Sequence, residues 1–443
     1  MYFLYSILLF LFLLFSGPYF LFRMITKGKY KKGLKQRLGL TPPRYTGAGL
    51  ISKVKSKDII WIHAVSVGEV IAASPIVDAI RKRFPKYSFL ISTVTDTGQD
   101  MARKTVSDPK EIIYFPLDFR WIVNKALKSI KPKLFIMVET ELWPNFIREA
   151  KRRKIPLAIV NGRISPGSYK GYRTIKPFLK RVLFNIDLFC MQSELDEKRI
   201  ISLGAPKERV HVTGNVKFDG LQTEVSDKER LAEELRISSQ DLVLVAGSTH
   251  SGEEEIILDI YQKAREEYPN LRLILAPRHP ERIPEVESLC KNRNLSYIRR
   301  SQLSNIQPPK ASRAKGGDQG SRIKIILLDT IGELAKVYSL ATIVFVGGSL
   351  VPVGGHNILE PATLGKVPLF GPYMHNFVES ARLLIEGKGG IQARDREELL
   401  ENILDLLKNP EKKEKTGKSA QEIVKKHQGA AERTVELIGK LWE

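Results

Sequence analysis

Apolar residues fall along this chain in three arrangements. From residue 2 to residue 22 nearly every position is apolar. A helix of about 20 such residues is long enough to cross a hydrocarbon core of roughly 30 Å. Further on, short apolar runs bounded by turn residues alternate with helical patterns at 59–63, 89–94, 112–115, 134–138, 157–160 and 188–191. After a polar stretch at 222–234 the series resumes at 242–246, 271–276, 323–328, 342–346 and 367–370. Runs that are apolar throughout, rather than alternating, belong to strands of a parallel sheet covered by helices on both faces. The pattern therefore predicts two wound α/β domains, Rossmann-like in their alternation of strand and helix. From residue 410 the sequence is charged and helical in pattern, with no further strand.

Length agrees with this division, because 443 residues exceed what one hydrophobic core organises. The boundaries expected are a membrane anchor at 1–22, a basic juxtamembrane segment at 23–57, and domains at 58–221 and 222–443. A polar insertion at 304–321, rich in Pro, Gly, Lys and Arg, reads as a mobile surface loop. Tandem wound domains put the carboxyl ends of their strands around a shared crevice, where open α/β sheets bind ligands.

Charge adds a partner class. The formal net charge of +22 implies attraction to something anionic: a phosphate-bearing substrate, a membrane surface or nucleic acid. Residues 23–57 hold eleven Lys or Arg and no Asp or Glu, a bias that keeps a flank cytoplasmic and draws anionic lipid headgroups. The start of the chain lacks the positive charges of a signal peptide, so an uncleaved anchor is expected, with the body in the cytoplasm. Gly17-Pro18 could kink that helix, which leaves a single-pass, a monotopic and an in-plane arrangement open. Cys190 and Cys290 lack disulfide or zinc spacing and read as buried or idle thiols. Seven scattered histidines without an HExxH pair predict no structural metal. Neither a GxGxxG nor a P-loop sequence occurs, which weakens the dehydrogenase and ATPase readings.

Candidate chemistry lies in loops after strands. His63-Ala-Val-Ser-Val-Gly-Glu69 follows the first, and Glu69 could be a general base beside the bare Gly68 or simply the acid of a Ser66–Glu69 capping box. After the fourth, Glu139-Thr-Glu141-Leu-Trp143-Pro144-Asn145 carries two acids, of which an extended segment would turn only one toward a ligand. Gly214-Asn215-Val216-Lys217-Phe218-Asp219 offers a cation on a turn. In the second domain, Gly247-Ser-Thr-His250-Ser-Gly252 is rich in backbone donors, and Arg278 of Pro277-Arg-His-Pro280 could fork onto phosphate oxygens. Asp329-Thr-Ile331-Gly332-Glu333 and a glycine loop from Gly347 to Gly355, leading into His356, Asn357 and Glu360, complete the set. Amides of that glycine loop are expected to close on a phosphate, and Glu360 to accept from ribose hydroxyls.

These motifs, in this order, resemble the 3-deoxy-D-manno-octulosonic acid (Kdo) transferases of Gram-negative lipopolysaccharide synthesis. The matching residues are Ser66-Val-Gly-Glu69, Glu139 to Asn145, Lys217-Phe-Asp219, Pro277-Arg-His-Pro-Glu-Arg282, Gly347-Gly-Ser349 and Gly354-Gly-His-Asn357, and the resemblance runs over nearly the whole chain. It implies a GT-B glycosyltransferase fold, two Rossmann-like domains facing a cleft with an N-terminal membrane-anchor helix. It further implies an inverting transfer from CMP-Kdo to lipid IVA, a lipid A precursor, at the cytoplasmic face of the inner membrane. By motif, Glu69 would accept the proton, and Glu139 and Lys217 would stabilise the transition state. Pro277, Arg278, Ile331, Gly332, Glu333, Asn357, Ile358, Leu359 and Glu360 would line the CMP site. Partners implied are CMP-Kdo, lipid IVA and anionic inner-membrane lipids, with no nucleic acid and no cofactor. The alternatives are another GT-B enzyme using a UDP-sugar, such as a lipid-linked sugar transferase or an epimerase, and a non-catalytic anchored binder of anionic polymer.

Overall fold

The computed structural model describes residues 1–27, 33–40, 58–105, 112–221, 227–303 and 324–441. The insertion at 304–321 and much of the basic segment at 23–57 lie outside the described residues. The chain divides into two compact units, Met1–Gly220 with His427–Glu443, and Leu221–Lys426.

The first unit opens with helix α1 (Tyr2–Lys27) and a single helical turn, α2 (Leu34–Arg37). Strand and helix then alternate: β1 (Ile59–His63), α3 (Val67–Arg83), β2 (Ser88–Thr93), α4 (Asp96–Thr105), β3 (Ile112–Tyr114), α5 (Arg120–Ile130), β4 (Leu134–Val138) and α6 (Pro144–Arg152). Strands β5 (Leu157–Gly162), β6 (Leu188–Met191) and β7 (Val210–Val212) complete a parallel sheet in the order β3-β2-β1-β4-β5-β6-β7. Successive side chains of a strand point to opposite faces, and both faces are core here. Trp61, Phe135 and Met137 pack with Phe146 and Phe189 on one face. Ile60, Ile62, Ile136 and Val138 pack with Val70 and Ile76 of α3 on the other. Burial on both faces is why these strands show no polar alternation in the sequence.

The second unit repeats the plan with β8 (Leu242–Thr249), β9 (Leu271–Pro277), β10 (Tyr297–Arg299), β11 (Ile325–Leu327), β12 (Ile343–Val346), β13 (Pro368–Phe370) and β14 (Ile391–Gln392). They form a second seven-stranded parallel sheet, in the order β10-β11-β9-β8-β12-β13-β14. Leu244, Leu273, Leu275 and Phe345 pack there under Ile257, Leu258 and Tyr261 of the helix Glu253–Glu267.

One expected boundary changes. Residues 222–443 were to form a single domain, yet the last helix, Ala430–Gly439, belongs to the first unit. Its apolar stripe of Ala430, Ala431, Val435 and Ile438 completes the core face under α3. Polar ties fix its start: Asp219 accepts from the Gly429 and Ala431 amides at 2.7 and 2.6 Å, and Arg433 donates to the Thr213 carbonyl at 2.9 Å. Asp219→Ala should therefore lower the thermal midpoint of the first unit by a few degrees, the effect of losing a helix cap worth about 1 kcal/mol. Asp219→Asn, which keeps one acceptor, should lose less in the same calorimetric scan.

Candidate functional site

In each sheet the winding reverses beside the first strand, between β1 and β4 in one unit and between β8 and β12 in the other. The loops leaving those strands diverge there and open a crevice at the strands' carboxyl ends. Glu69, Glu139, the Gly247 to Gly252 turn and the glycine loop from Gly347 follow these four strands, while Lys217, Arg278 and Ile331 follow β7, β9 and β11.

Glu69 sits in the first turn of α3, right after β1, and is buried. Its Oε2 accepts the Val65 amide at 2.7 Å and its Oε1 the Ser66 hydroxyl at 3.0 Å. This is not a capping box: the carboxylate reaches past the Ser66 amide to that of Val65, and Ser66 caps no amide of the helix. Val65 is held from the other side as well, because its carbonyl accepts the amides of Val94 and Thr95, both at 3.2 Å. Space beside Gly68 is open, with no atom within 4 Å of where a side chain would begin. Burial pushes the Glu69 carboxyl up to about 7 despite its two donors, and the charges of Glu141 and Glu139 add to the rise.

Those two acids leave β4 together. An extended path would have sent them to opposite sides, but Glu139 adopts a left-handed backbone, φ 58°. Such a conformation is costly for a residue with a side chain and tends to occur at functional sites. It breaks the alternation, so both charges act on Glu69 rather than one. Glu141 is itself raised by burial and by Glu139. Lys217 lies in the single turn Val216–Phe218, anchored by buried Val216 and Phe218 and packed against α3. The Asn215 side chain accepts its amide at 3.0 Å. Three members of the sequence motifs are structural instead. His63 is fully buried on the Phe115 ring, 3.9 Å between centroids, and is pushed down to about 3. Asn145 and Asp219 close hydrogen-bonded corners.

In the second unit the glycine loop is held differently from expectation. The fully buried Glu253, which sequence reading passed over within an acidic run, accepts four amides: His250 at 2.9, Gly348 at 2.7, Ser349 at 3.0 and Leu350 at 2.9 Å. The amides of Gly354 and Gly355 turn back to the Gly348 carbonyl. Those amides cannot also close on a phosphate, so this part of the phosphate expectation is corrected. Gly247 is required by packing, since a Cβ there would stand 2.1 Å from the Tyr338 hydroxyl.

Around this braced loop the expected ligand residues divide. Arg278 is exposed at the end of β9, its amide tied to the Thr249 carbonyl at 2.9 Å. Its charge reaches both Glu360 and His356. Glu360 accepts from the Asn357 side chain at 3.1 Å, and burial raises its carboxyl against that bond and Arg278. Ile331 is 87% exposed, next to Gly332 with φ 91°. Glu333 is committed, with Arg300 at 3.1 Å and the Thr330 hydroxyl on its carboxylate. Pro277 is buried, as are the side chains of Ile358 and Leu359, so the latter two can reach a ligand only through main chain. Unforeseen was a pair of stacked imidazoles, His250 and His356, with Nε2 atoms 2.8 Å apart. Burial pushes His356 down to about 4 and lowers His250 as well. Both cysteines are buried, Cys190 raised by burial to about 12 and Cys290 to about 11. Among the described residues no group of three or more His, Cys, Asp or Glu is arranged to hold a metal.

Known proteins share this organisation. Residues 32–220 match the family model described as 3-deoxy-D-manno-octulosonic-acid transferase (kdotransferase). A 3-deoxy-D-manno-octulosonic acid transferase of Haemophilus influenzae is 37% identical over 86% of this chain and 86% of its own length. A bifunctional glycosyltransferase/methyltransferase of Fusobacterium nucleatum is 41% identical over 86% of this chain, which spans 56% of that protein. Among solved structures, a UDP-GlcNAc 2-epimerase from Neisseria meningitidis, 15% identical, aligns over 86% of this chain and 100% of its own with a TM-score of 0.57, a likeness of GT-B fold. Two wound parallel sheets, the ordered motifs at their carboxyl ends and these relatives together establish that the chain belongs to the Kdo transferase family, glycosyltransferases of lipopolysaccharide synthesis.

Proposed function

We propose that the protein transfers Kdo from CMP-Kdo to lipid IVA with inversion at the anomeric carbon, and that Glu69 is the proton acceptor. The observation that carries this reading is the Glu69 carboxyl, buried beside the switch point of the first sheet and poised near 7. A general base works best with a pKa near the working pH. As the acceptor hydroxyl oxygen attacks the anomeric carbon, its proton passes to Glu69 and the bond to the CMP phosphate breaks. A phosphate leaves without being protonated. The negative charges of Glu139 and Glu141 favour the positive character that the sugar ring develops, while Lys217 and Arg278 oppose the charge gathering on phosphate. Asn357 and Glu360 offer polar groups to a ribose, and Ile358 and Leu359 their main chain. The acceptor is a phosphorylated acyl-disaccharide, so α1 and the eleven basic residues at 23–57 hold the enzyme where it resides, on the cytoplasmic face of the inner membrane.

The direct test is to incubate purified enzyme with CMP-Kdo and lipid IVA and weigh the product by mass spectrometry. Thermal-shift competition separates donors: CMP should protect the protein, and protection by UDP alone would overturn the donor assignment. Glu69→Gln should lower kcat by roughly 10² to 10⁴ while leaving CMP affinity intact. Glu69 must be ionised to accept a proton, so kcat/KM should fall tenfold per pH unit below about 7 and level off above it. That acid limb should vanish in Glu69→Gln. Arg278→Ala should weaken CMP binding about tenfold or more, the loss of a charged hydrogen bond, measured by calorimetry.

A further inference from the structure

The ends of the apolar helix α1 decide its relation to the membrane. Its first turns are built onto the first unit by polar and aromatic contacts. Tyr5 donates to Asp118 at 3.0 Å, Asn145 donates to Ser6 at 3.1 Å, and Asn185 donates to the Tyr2 hydroxyl at 3.3 Å. The Phe178 ring packs against both Tyr2 and Tyr5, and Arg148 lies 4.7 Å over the Tyr2 ring. The chain that follows the helix returns to the same place. The Arg37 carbonyl accepts the Leu117 amide at 3.0 Å, and Gln36 accepts the Tyr114 amide at 3.0 Å. Leu117 and Asp118 are consecutive residues, so the segments before and after the helix are moored side by side.

From Tyr5 to Lys27 a helix rises about 33 Å, roughly the thickness of a hydrocarbon core. Were α1 to cross, its far end would stand on the opposite side of the bilayer from Asp118, and residues 28–36 would have to cross back. That return carries Lys29, Lys31, Lys32 and Lys35. Each would cost about 2.5 to 3.5 kcal/mol at the bilayer centre, with no apolar run to offset it. Meanwhile Phe3, Leu4, Phe10, Phe12, Leu14 and Phe15 are exposed around much of the helix beyond its moored first turns, with Phe15 at 79%. The helix carries no charged residue before Arg23 and is long and apolar enough to cross, so it is the mooring of both its ends on one side that decides against a crossing.

We infer that α1 is a one-sided, in-plane membrane helix whose two ends both stay on the face that carries the body of the enzyme. The inference rests on the membrane reading of α1 and not on the transfer reaction. It also fixes what faces the lipid: Asn145, which donates to Ser6, follows the acidic loop that begins at Glu139, so that loop lies on the membrane side of the first unit.

The test uses the full-length chain in bacterial inner membranes, with one cysteine on a short polar extension ahead of Tyr2 and, in a separate variant, Lys128→Cys on the exposed side of α5. The native cysteines are buried, which keeps the background low. A membrane-impermeant maleimide should label both sites in inside-out vesicles and neither in intact spheroplasts. Labelling of the extension in spheroplasts, with Lys128→Cys still protected, would overturn the inference and restore a single crossing. Recovery of the protein in the soluble fraction after lysis would overturn it too. Kdo transfer assayed on the same vesicles reports on the reaction alone, so the two readings fail separately.

Discussion

Parallel pairing of one central strand with two neighbours governs each half of this protein. β1 pairs with β2 and β4, and β8 with β9 and β12, all parallel. Parallel neighbours need a crossover of a dozen or more residues, so every strand ends on the same edge and hands its chain to a helix. Glu69 and Glu139 are 70 positions apart in sequence, yet they leave adjacent strands at one edge and feel each other's charge. Gly247 to His250 and the loop from Gly347 are brought together the same way. Without that pairing neither group would be brought together within its own unit.

Two buried carboxylates show how the same group can brace or react. A carboxylate has about four lone-pair sites. Glu253 receives four amide donors and is saturated, so its task is to hold the loop from His250 to Leu350 in one shape. Glu69 receives two donors, which leaves acceptor capacity for an incoming hydroxyl. Burial then raises its proton affinity, where two bonds alone would have lowered it. Counting donors separates the brace from the base, and sequence offers no such count, because both residues look like first-turn acids of a helix.

Legibility followed the strength of the local signal. Eleven strands are apolar runs long enough to read, whereas β7, β10 and β14 span two or three residues with polar members such as His211, Arg299 and Gln392. Their strand character comes from edge pairing, not from their own composition. The return of the helix Ala430–Gly439 to the first unit was equally hidden. Its stripe fits any core, and only the Asp219 cap and the face of α3 choose between two. For the candidate site, residue types and order singled out Glu69, Glu139, Lys217 and Arg278. The left-handed turn at Glu139 and the meeting of His250 with His356 depend on contacts across about 106 residues or on strain, which periodicity does not record.

Asp118 ties the apolar helix α1 to the acidic loop of the candidate site. It is nearly fully buried and its oxygens accept the Asn145 and Phe146 amides at 2.9 and 2.7 Å, which caps α6, besides the Tyr5 hydroxyl. Burial pushes its carboxyl up to about 7, so the three donors hold a charge that the surroundings disfavour. Removing Tyr5 would therefore unsettle the start of α6 as well as the seat of α1. Because α6 begins five residues after Glu139, a displacement there passes directly into the acidic loop that faces Glu69. A helix that only tethered the enzyme would need no such buried joint. With the lipid-borne acceptor proposed above, a helix that sets the height of the acidic loop would need a joint of this kind.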